Sequence, residues 1–127
     1  MNTEKVVFAF FIVLALTLNF GFFLGEMTNP EHHNGYELFF ATVVSLIATV
    51  MKFGDRTHMG AILLATSLVA DLQLIIAAVI WGWAVHVSTV GMDGAAIASI
   101  VSLSGGALLA NLLSAVLLAI ETVMIRR

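Results

Sequence analysis

Four long apolar stretches, separated by short polar segments, dominate the pattern of hydrophobic and polar positions along the chain. A helix that spans a bilayer needs about 20 mainly apolar residues. The stretches predict membrane-spanning helices over about residues 6–25, 37–53, 60–84 and 95–123. The second is the shortest and needs its flanking polar residues to lie in the two interfaces. We therefore predict an all-α, polytopic membrane protein with one four-helix transmembrane domain over residues 1–127.

Composition supports this class of protein and excludes several classes of function. Apolar residues make up 61% of the chain and charged residues 10%, against about 45–50% and about 25% in soluble domains. A net charge of −3 leaves no basic patch for nucleic acid. The absence of cysteine excludes disulfides, thiolate metal sites and cysteine nucleophiles. With no Ser-His-Asp, phosphate-loop or haem-ligand pattern, we expect no enzyme activity and no cofactor. The expected surroundings are the lipid bilayer.

Basic residues predict the orientation. In a four-span arrangement Lys5, Lys52, Arg56, Arg126 and Arg127 all fall on one side, and no Lys or Arg falls on the other. Because positive residues favour the cytoplasmic side, we predict that both termini are cytoplasmic. The expected location is a bacterial-type inner membrane.

One acid lies deep in the third stretch. Asp71 is about ten residues, or about 15 Å, from the cytoplasmic end of that stretch, near the bilayer midplane. An acid there costs roughly 2.5–3.5 kcal/mol on insertion scales, so it should face protein or water and have a role. Without a nearby cation, the neutral carboxyl is favoured over the carboxylate, as a proton carrier requires.

Other polar residues reach a similar depth, and two interpretations of them stay open. Ser67 is four residues before Asp71 and shares its helix face. In the first interpretation, a polar ion pathway is lined by Asp71, Gln73, Asn111, Ser67 and Ser45. In the second, Gln73 and Asn111 hydrogen-bond a protonated Asp71 in a sealed structural network.

Small residues form two faces suited to helix packing. The fourth stretch carries a ladder at four-residue spacing, and the first carries a GxxxG pattern. The residues are Ala98, Ser102, Gly106, Ala110 and Ser114 in the ladder, and Gly21 and Gly25 in the GxxxG pattern. Small residues let helices approach closely in lipid, within one bundle or between copies. We expect a homo-oligomer or a larger membrane-protein partner.

The predicted outer loop carries a cluster of acids and histidines. Glu31, His32 and His33 are adjacent, and imidazole with carboxylate suits zinc, iron, copper or nickel. The cluster lacks a defined ligand spacing such as HExxH. A hydrated acidic loop is the alternative interpretation.

A local family resemblance follows the third stretch. Residues 81–94, WGWAVHVSTVGMDG, resemble the pore helix and filter of potassium channels. Thr89, Val90 and Gly91 match the start of the T-V-G-Y-G-D filter, whereas Met92-Asp93-Gly94 replaces its end. The resemblance implies a turn whose backbone carbonyls replace the hydration shell of an ion. An ordinary glycine-containing turn is the alternative.

The whole chain is similar to small bacterial inner-membrane proteins of unknown function. The segments Glu37-Leu38-Phe39-Phe40 and Lys52-Phe53-Gly54-Asp55-Arg56 carry this resemblance, which implies no activity. From the residues, we predict a translocator of protons or a small cation, or the membrane subunit of one. The alternative is an accessory or regulatory subunit that packs against a larger channel or transporter.

Overall fold

Four long helices form nearly all of the protein. The computed structural model describes residues 3–25, 29–54 and 57–126, with the backbone alone at positions 32, 125 and 126. The helices are α1 (Thr3–Phe23), α2 (Gly35–Lys52), α3 (His58–His86) and α4 (Gly94–Arg126), and a short 3-10 turn covers Pro30–His32. The described part contains no strand, and all four helices are long and apolar enough to cross a membrane.

Capping side chains explain where the helices begin. Asn34 accepts a hydrogen bond from the Tyr36 N–H at 2.9 Å, and Thr57 accepts one from the Gly60 N–H at 2.9 Å. These bonds satisfy backbone donors that the first turn of a helix leaves unpaired. As a result, α2 and α3 each begin two residues earlier than the apolar pattern predicts. At the other end of α1, Gly25 has a φ of +104° and lies beyond the helix.

Consecutive helices are antiparallel, and each packs against its two neighbours. The α1–α4 contacts fix the direction: Lys5 pairs with Glu121, and Asn19 bonds Ser104. Since α4 also packs on α1, the four helices close into a bundle. We call the end that holds Thr3, Lys52 and His58 the termini end, and the opposite end the loop end.

The bundle interior contains two apolar clusters. The loop-end cluster includes Phe22, Leu38, Leu74 and Ile100. The termini-end cluster consists of Phe8, Ile12, Ala48, Leu63 and Leu118. Between them, three of the four helices place buried polar residues, which we call the polar layer. Its members are Ser45, Thr49, Ser67, Asp71, Asn111 and Ser114, each at most 5% exposed.

The outer surface of the bundle is apolar. Phe10, Leu72 and Leu109 are each about 60% exposed or more. Such side chains are stable in lipid, and helices satisfy their backbone groups internally, as a bilayer requires. Together with the four spanning-length helices, this surface makes the chain a multi-pass membrane protein.

Candidate functional site

Asp71 lies inside the bundle, close to the middle of α3. It is thirteen residues from His58 and fifteen from His86, and it is 5% exposed. Its side chain faces α2, where the described structure shows two hydroxyl partners. The acid therefore contacts protein at mid-depth.

Two residues of α2 hold the carboxyl group. The Ser45 hydroxyl donates to Asp71 Oδ1 at 2.7 Å, and the Thr49 hydroxyl lies 2.5 Å from Asp71 Oδ2. Ser45 and Thr49 are four residues apart, so they lie one above the other on the same face of α2. We call these three residues the clasp.

The hydrogens of the clasp can be counted. Thr49 has one hydroxyl hydrogen but two acceptors within reach, Asp71 Oδ2 and the Ser45 carbonyl oxygen at 2.9 Å. If Thr49 donates to the carbonyl, a protonated Asp71 supplies the hydrogen between them. If Thr49 donates to Asp71, the carboxylate accepts two hydroxyls, and the Ser45 carbonyl keeps its helical N–H. Turning one hydroxyl therefore satisfies both forms of the acid.

The other predicted pathway residues lie on α3 and α4: Ser67 shares the Asp71 face of α3, the Gln73 amide lies against Gly106 of α4, and Asn111 is on α4 itself. Ser67 and Asn111 are each 1% exposed, and Gln73 is partly buried. Among the described residues, Ser67 Oγ, Gln73 Oε1 and both polar atoms of Asn111 have no hydrogen-bond partner. Of the four predicted companions of Asp71, the structure thus brings only Ser45 into a direct hydrogen bond with it.

Thr49 is a site residue that sequence reasoning did not select. Its four-residue spacing from Ser45 was the available signal, because it places both hydroxyls on one helix face. That signal becomes informative only when the α2–α3 register is known. Thr42, a further turn away, illustrates this, since its hydroxyl bonds the Leu38 carbonyl at 2.8 Å and serves its own helix.

A second polar contact joins α1 to α4. The Asn19 amide, oriented so that both its polar atoms are satisfied, donates to Ser104 Oγ at 2.9 Å and to the Ser104 carbonyl oxygen at 3.0 Å. Its oxygen accepts from the Leu108 N–H at 3.0 Å. An α-helix pairs the Leu108 N–H with the Ser104 carbonyl. Asn19 therefore braces the turn of α4 that contains Gly105 and Gly106.

The predicted packing residues occupy different surroundings. Ala110 and Ser114 are buried, Ala98 and Gly106 are partly buried, and Ser102 is exposed. A strict four-residue ladder turns by about 40° per step around a helix with 3.6 residues per turn, so its two ends cannot share one face. On α1, Gly21 lies against the Glu37 side chain, whereas Gly25 is outside the helix.

The filter-like residues lie in the exposed connection after α3. Residues 81–86 belong to the continuous helix α3, where a potassium channel has a separate pore helix. Thr89 and Val90 are exposed, and Gly91 has a φ of +79°, which suits a turn. The structure thus places Thr89, Val90 and Gly91 in a glycine-containing turn.

The acidic and histidine-rich connection does not assemble a metal site among the described residues. His33 is 4% exposed, and its Nδ1 donates to the Phe22 carbonyl oxygen at 2.5 Å. Glu31 is exposed, and the side chain of His32 lies outside the described part. No group of three metal-ligating side chains occurs in that part. His33 thus joins the connection to the end of α1.

Comparison with known proteins gives a family for the chain. No curated protein and no solved structure matches it. Residues 32–122 match a family described as a family of unknown function (DUF6394). The matched region contains α2, α3 and most of α4, so it includes the whole clasp. Because the match covers well over half of the chain, this protein belongs to the DUF6394 family of unknown function.

Proposed function

We propose that this protein moves protons across a membrane, alone or as the proton-binding subunit of a larger translocator, with the Asp71 carboxyl as the carrier. The clasp carries the proposal, because its hydrogen bonds can be completed whether or not Asp71 holds a proton. Ionisable residues at mid-membrane are costly, and they commonly mark proton relays and ion paths.

Proton uptake and release need little movement at the carboxyl. A proton binds Asp71 Oδ2, and the Thr49 hydroxyl turns from that oxygen to the Ser45 carbonyl; release reverses both steps. The apolar clusters lie on either side of the polar layer. Exchange with the two sides of the membrane therefore requires local openings of the bundle, as in other gated sites.

The clasp favours a proton over a small metal cation. A hard cation binds oxygen lone pairs. Ser45 points its hydroxyl hydrogen at the carboxyl, and Thr49 does so when the acid is charged. A cation bound between the carboxyl and the two hydroxyls would require both hydroxyl hydrogens to turn away, whereas a proton requires only Thr49 to turn.

The test is proton flux into sealed liposomes that contain the purified protein. A potassium gradient with valinomycin sets the driving voltage, and a trapped pH dye reports the flux. We expect Asp71→Asn to reduce the flux to that of empty liposomes, and Asp71→Glu to retain part of it. Asp93→Asn is the matched control, because this exposed residue caps α4 far from the clasp.

The alternative outcomes discriminate between functions. Sodium flux that depends on Asp71 would replace the proton with a small cation as the substrate. Flux that Asp71→Asn leaves unchanged would reject Asp71 as the carrier. Absence of flux from folded protein, confirmed by its thermal unfolding profile, would reject an autonomous translocator. Copurification with a stoichiometric partner would then favour the subunit interpretations.

We also propose that both termini face the cytoplasm in a bacterial-type inner membrane. Lys5 and Lys52 lie at the termini end, while the acids Glu31 and Asp93 lie at the loop end. Since the chain has no cysteine, single cysteines at the exposed positions Gly54 and Val90 report the two ends. An impermeant maleimide applied to intact cells should label Val90→Cys and spare Gly54→Cys. The reverse pattern would invert the topology.

A further inference from the structure

Helices α3 and α4 carry buried polar side chains whose hydrogen bonds the described chain does not complete. Within the described part of the protein, these atoms are Ser67 Oγ, Gln73 Oε1, Asn111 Oδ1 and Asn111 Nδ2. Ser67 and Asn111 are each 1% exposed. Buried polar groups are nearly always hydrogen-bonded, so groups such as these point to a bound partner.

Two contacts form the seam between α3 and α4 and fix its register. The Thr66 and Ser114 hydroxyls are 2.6 Å apart, and the Gln73 amide lies against Gly106. Because the helices are antiparallel, the α3 residues between Thr66 and Gln73 lie opposite the α4 residues between Gly106 and Ser114. That stretch holds Ser67 and Asp71 on α3 and Asn111 on α4, so the unpaired atoms lie near the level of the clasp.

The chemistry of Asn111 identifies the class of ligand. Its amide oxygen accepts hydrogen bonds and its amide nitrogen donates them, and both are unpaired. A bare metal cation could bind the oxygen but cannot accept a hydrogen from the nitrogen. Water does both, and a buried water typically makes about three hydrogen bonds to otherwise unsatisfied groups.

We propose that Asn111 and Ser67 hold a buried water-binding site at the level of the clasp, through which the Asp71 proton exchanges. The water site stands on the unpaired atoms alone, and its use by the proton rests on the proposed function. Ser67 and the Thr66–Ser114 pair lie toward the termini end from Asp71. The site therefore extends about one turn from Asp71 in that direction.

Water contact at Asn111 can be measured directly. In nanodiscs containing 15N-labelled protein, the Asn111 side-chain NH2 should show magnetisation transfer from water, assigned by its loss in Asn111→Leu. The Asn19 side chain is the matched control, since it is fully buried and bonded by α4. We expect transfer at Asn111 and much weaker transfer at Asn19. Absence of transfer at Asn111 overturns the proposal.

The sign of a stability change provides a second measurement. If the site holds no water, Asn111→Leu replaces an unpaired amide with an apolar side chain of similar volume and raises the melting temperature. If the site holds water, the same change removes the hydrogen bonds between the water and Asn111 and lowers the melting temperature. Asn19→Leu, which breaks bonds that the chain makes itself, lowers the melting temperature in both cases. A rise for Asn111→Leu therefore also overturns the proposal.

Flux separates this proposal from the proposed function. We expect Asn111→Leu to slow proton flux several-fold, while Asp71→Asn abolishes it. Water at Asn111 without any flux would keep the site and reject proton movement. Asp71-dependent flux without water at Asn111 would keep the carrier and reject the site.

Discussion

Helices α2 and α4 differ in how their buried polar side chains are hydrogen-bonded at the level of Asp71. Toward α2, each carboxyl oxygen has a hydroxyl partner, and Thr49 reaches a third group, the Ser45 carbonyl. On α4, Asn111 is equally buried, but both polar atoms of its side chain are unpaired within the described residues. Equal depth therefore does not give these residues equal roles. Helix α2 supplies both hydrogen-bond partners of the acid without water, whereas Asn111 of α4 needs partners that the described chain does not supply.

The difference follows from side-chain chemistry. A serine or threonine hydroxyl in a helix can donate back to a carbonyl of its own preceding turn, so it is not stranded when its partner changes. An asparagine amide offers two donor hydrogens and two acceptor lone pairs, more than a single backbone group of its own turn can meet. Hydroxyls on α2 thus suit a group that gains and loses a proton, whereas the amide on α4 suits a bound molecule.

Removing both hydroxyls of the clasp should have the largest effect on stability. Ser45→Ala with Thr49→Val leaves both oxygens of the buried carboxyl unpaired, at about 1–3 kcal/mol for each unsatisfied group. We expect the free energy of unfolding, measured by SDS titration in mixed micelles, to fall by about 2–4 kcal/mol. Adding Asp71→Leu should restore most of the loss, because the unpaired carboxyl is then gone. Failure of that rescue would show that the hydroxyls stabilise the bundle independently of Asp71.

Removing the Thr49 hydroxyl alone should have a smaller effect on stability and a clear effect on flux. Thr49→Val keeps the shape but removes the group that turns between Asp71 and the Ser45 carbonyl. We expect a stability loss of about 1–2 kcal/mol, near the upper range for single hydrogen bonds in membrane proteins, and slower proton flux. Thr42→Val is the matched control, since Thr42 bonds only the Leu38 carbonyl in the described structure. Equal flux in the two variants would count against a role for Thr49.

Crowding the α3–α4 seam at Gly106 should lower the free energy of unfolding by less than either change in the clasp. A Cβ at this position would overlap the Gln73 amide, which must move. We expect Gly106→Ala to lower the free energy of unfolding by about 1 kcal/mol through overpacking. Gly82→Ala is the control, because a Cβ there meets nothing within 4 Å and should add up to about 1 kcal/mol of helix propensity. Gly106→Ala should become harmless when Gln73→Ala is also present; if it does not, the contact with Gln73 is not the cause.

The sequence was sufficient to predict the helices and the acid, because both depend on properties of single segments. Apolar length predicts a spanning helix, and the depth of Asp71 follows from its position within one. The clasp depends on which residues of α2 lie opposite Asp71. Ser45 and Thr49 contact Asp71 only in the observed α2–α3 register. Depth alone indicated Ser45 as a companion of Asp71, but it did not indicate Thr49.

The pattern of small residues on α4 likewise did not predict which positions are buried. The small-residue ladder from Ala98 to Ser114 is a pattern in one helix, but burial depends on the rotation of that helix against α1 and α3. Thus Ser104, outside the ladder, is fully buried against Asn19, while Ser102, within it, is exposed. Likewise, Thr89, Val90 and Gly91 match a filter motif that cannot show whether the preceding helix continues unbroken to His86.

An ion pair outside the polar layer should have the smallest effect of all. Lys5 Nζ lies 3.3 Å from Glu121 Oε1 at the termini end, with side-chain exposures of 39% and 12%. Solvent-accessible ion pairs are typically worth less than about 1 kcal/mol. A double-mutant cycle with Lys5→Met and Glu121→Gln isolates this pair from the other contacts of each residue. We expect a coupling energy below about 1 kcal/mol that shrinks as salt is added, and therefore below the loss in Thr49→Val. A coupling energy above that loss would show that a charged pair at the termini end stabilises the bundle more than a hydroxyl contact in the polar layer.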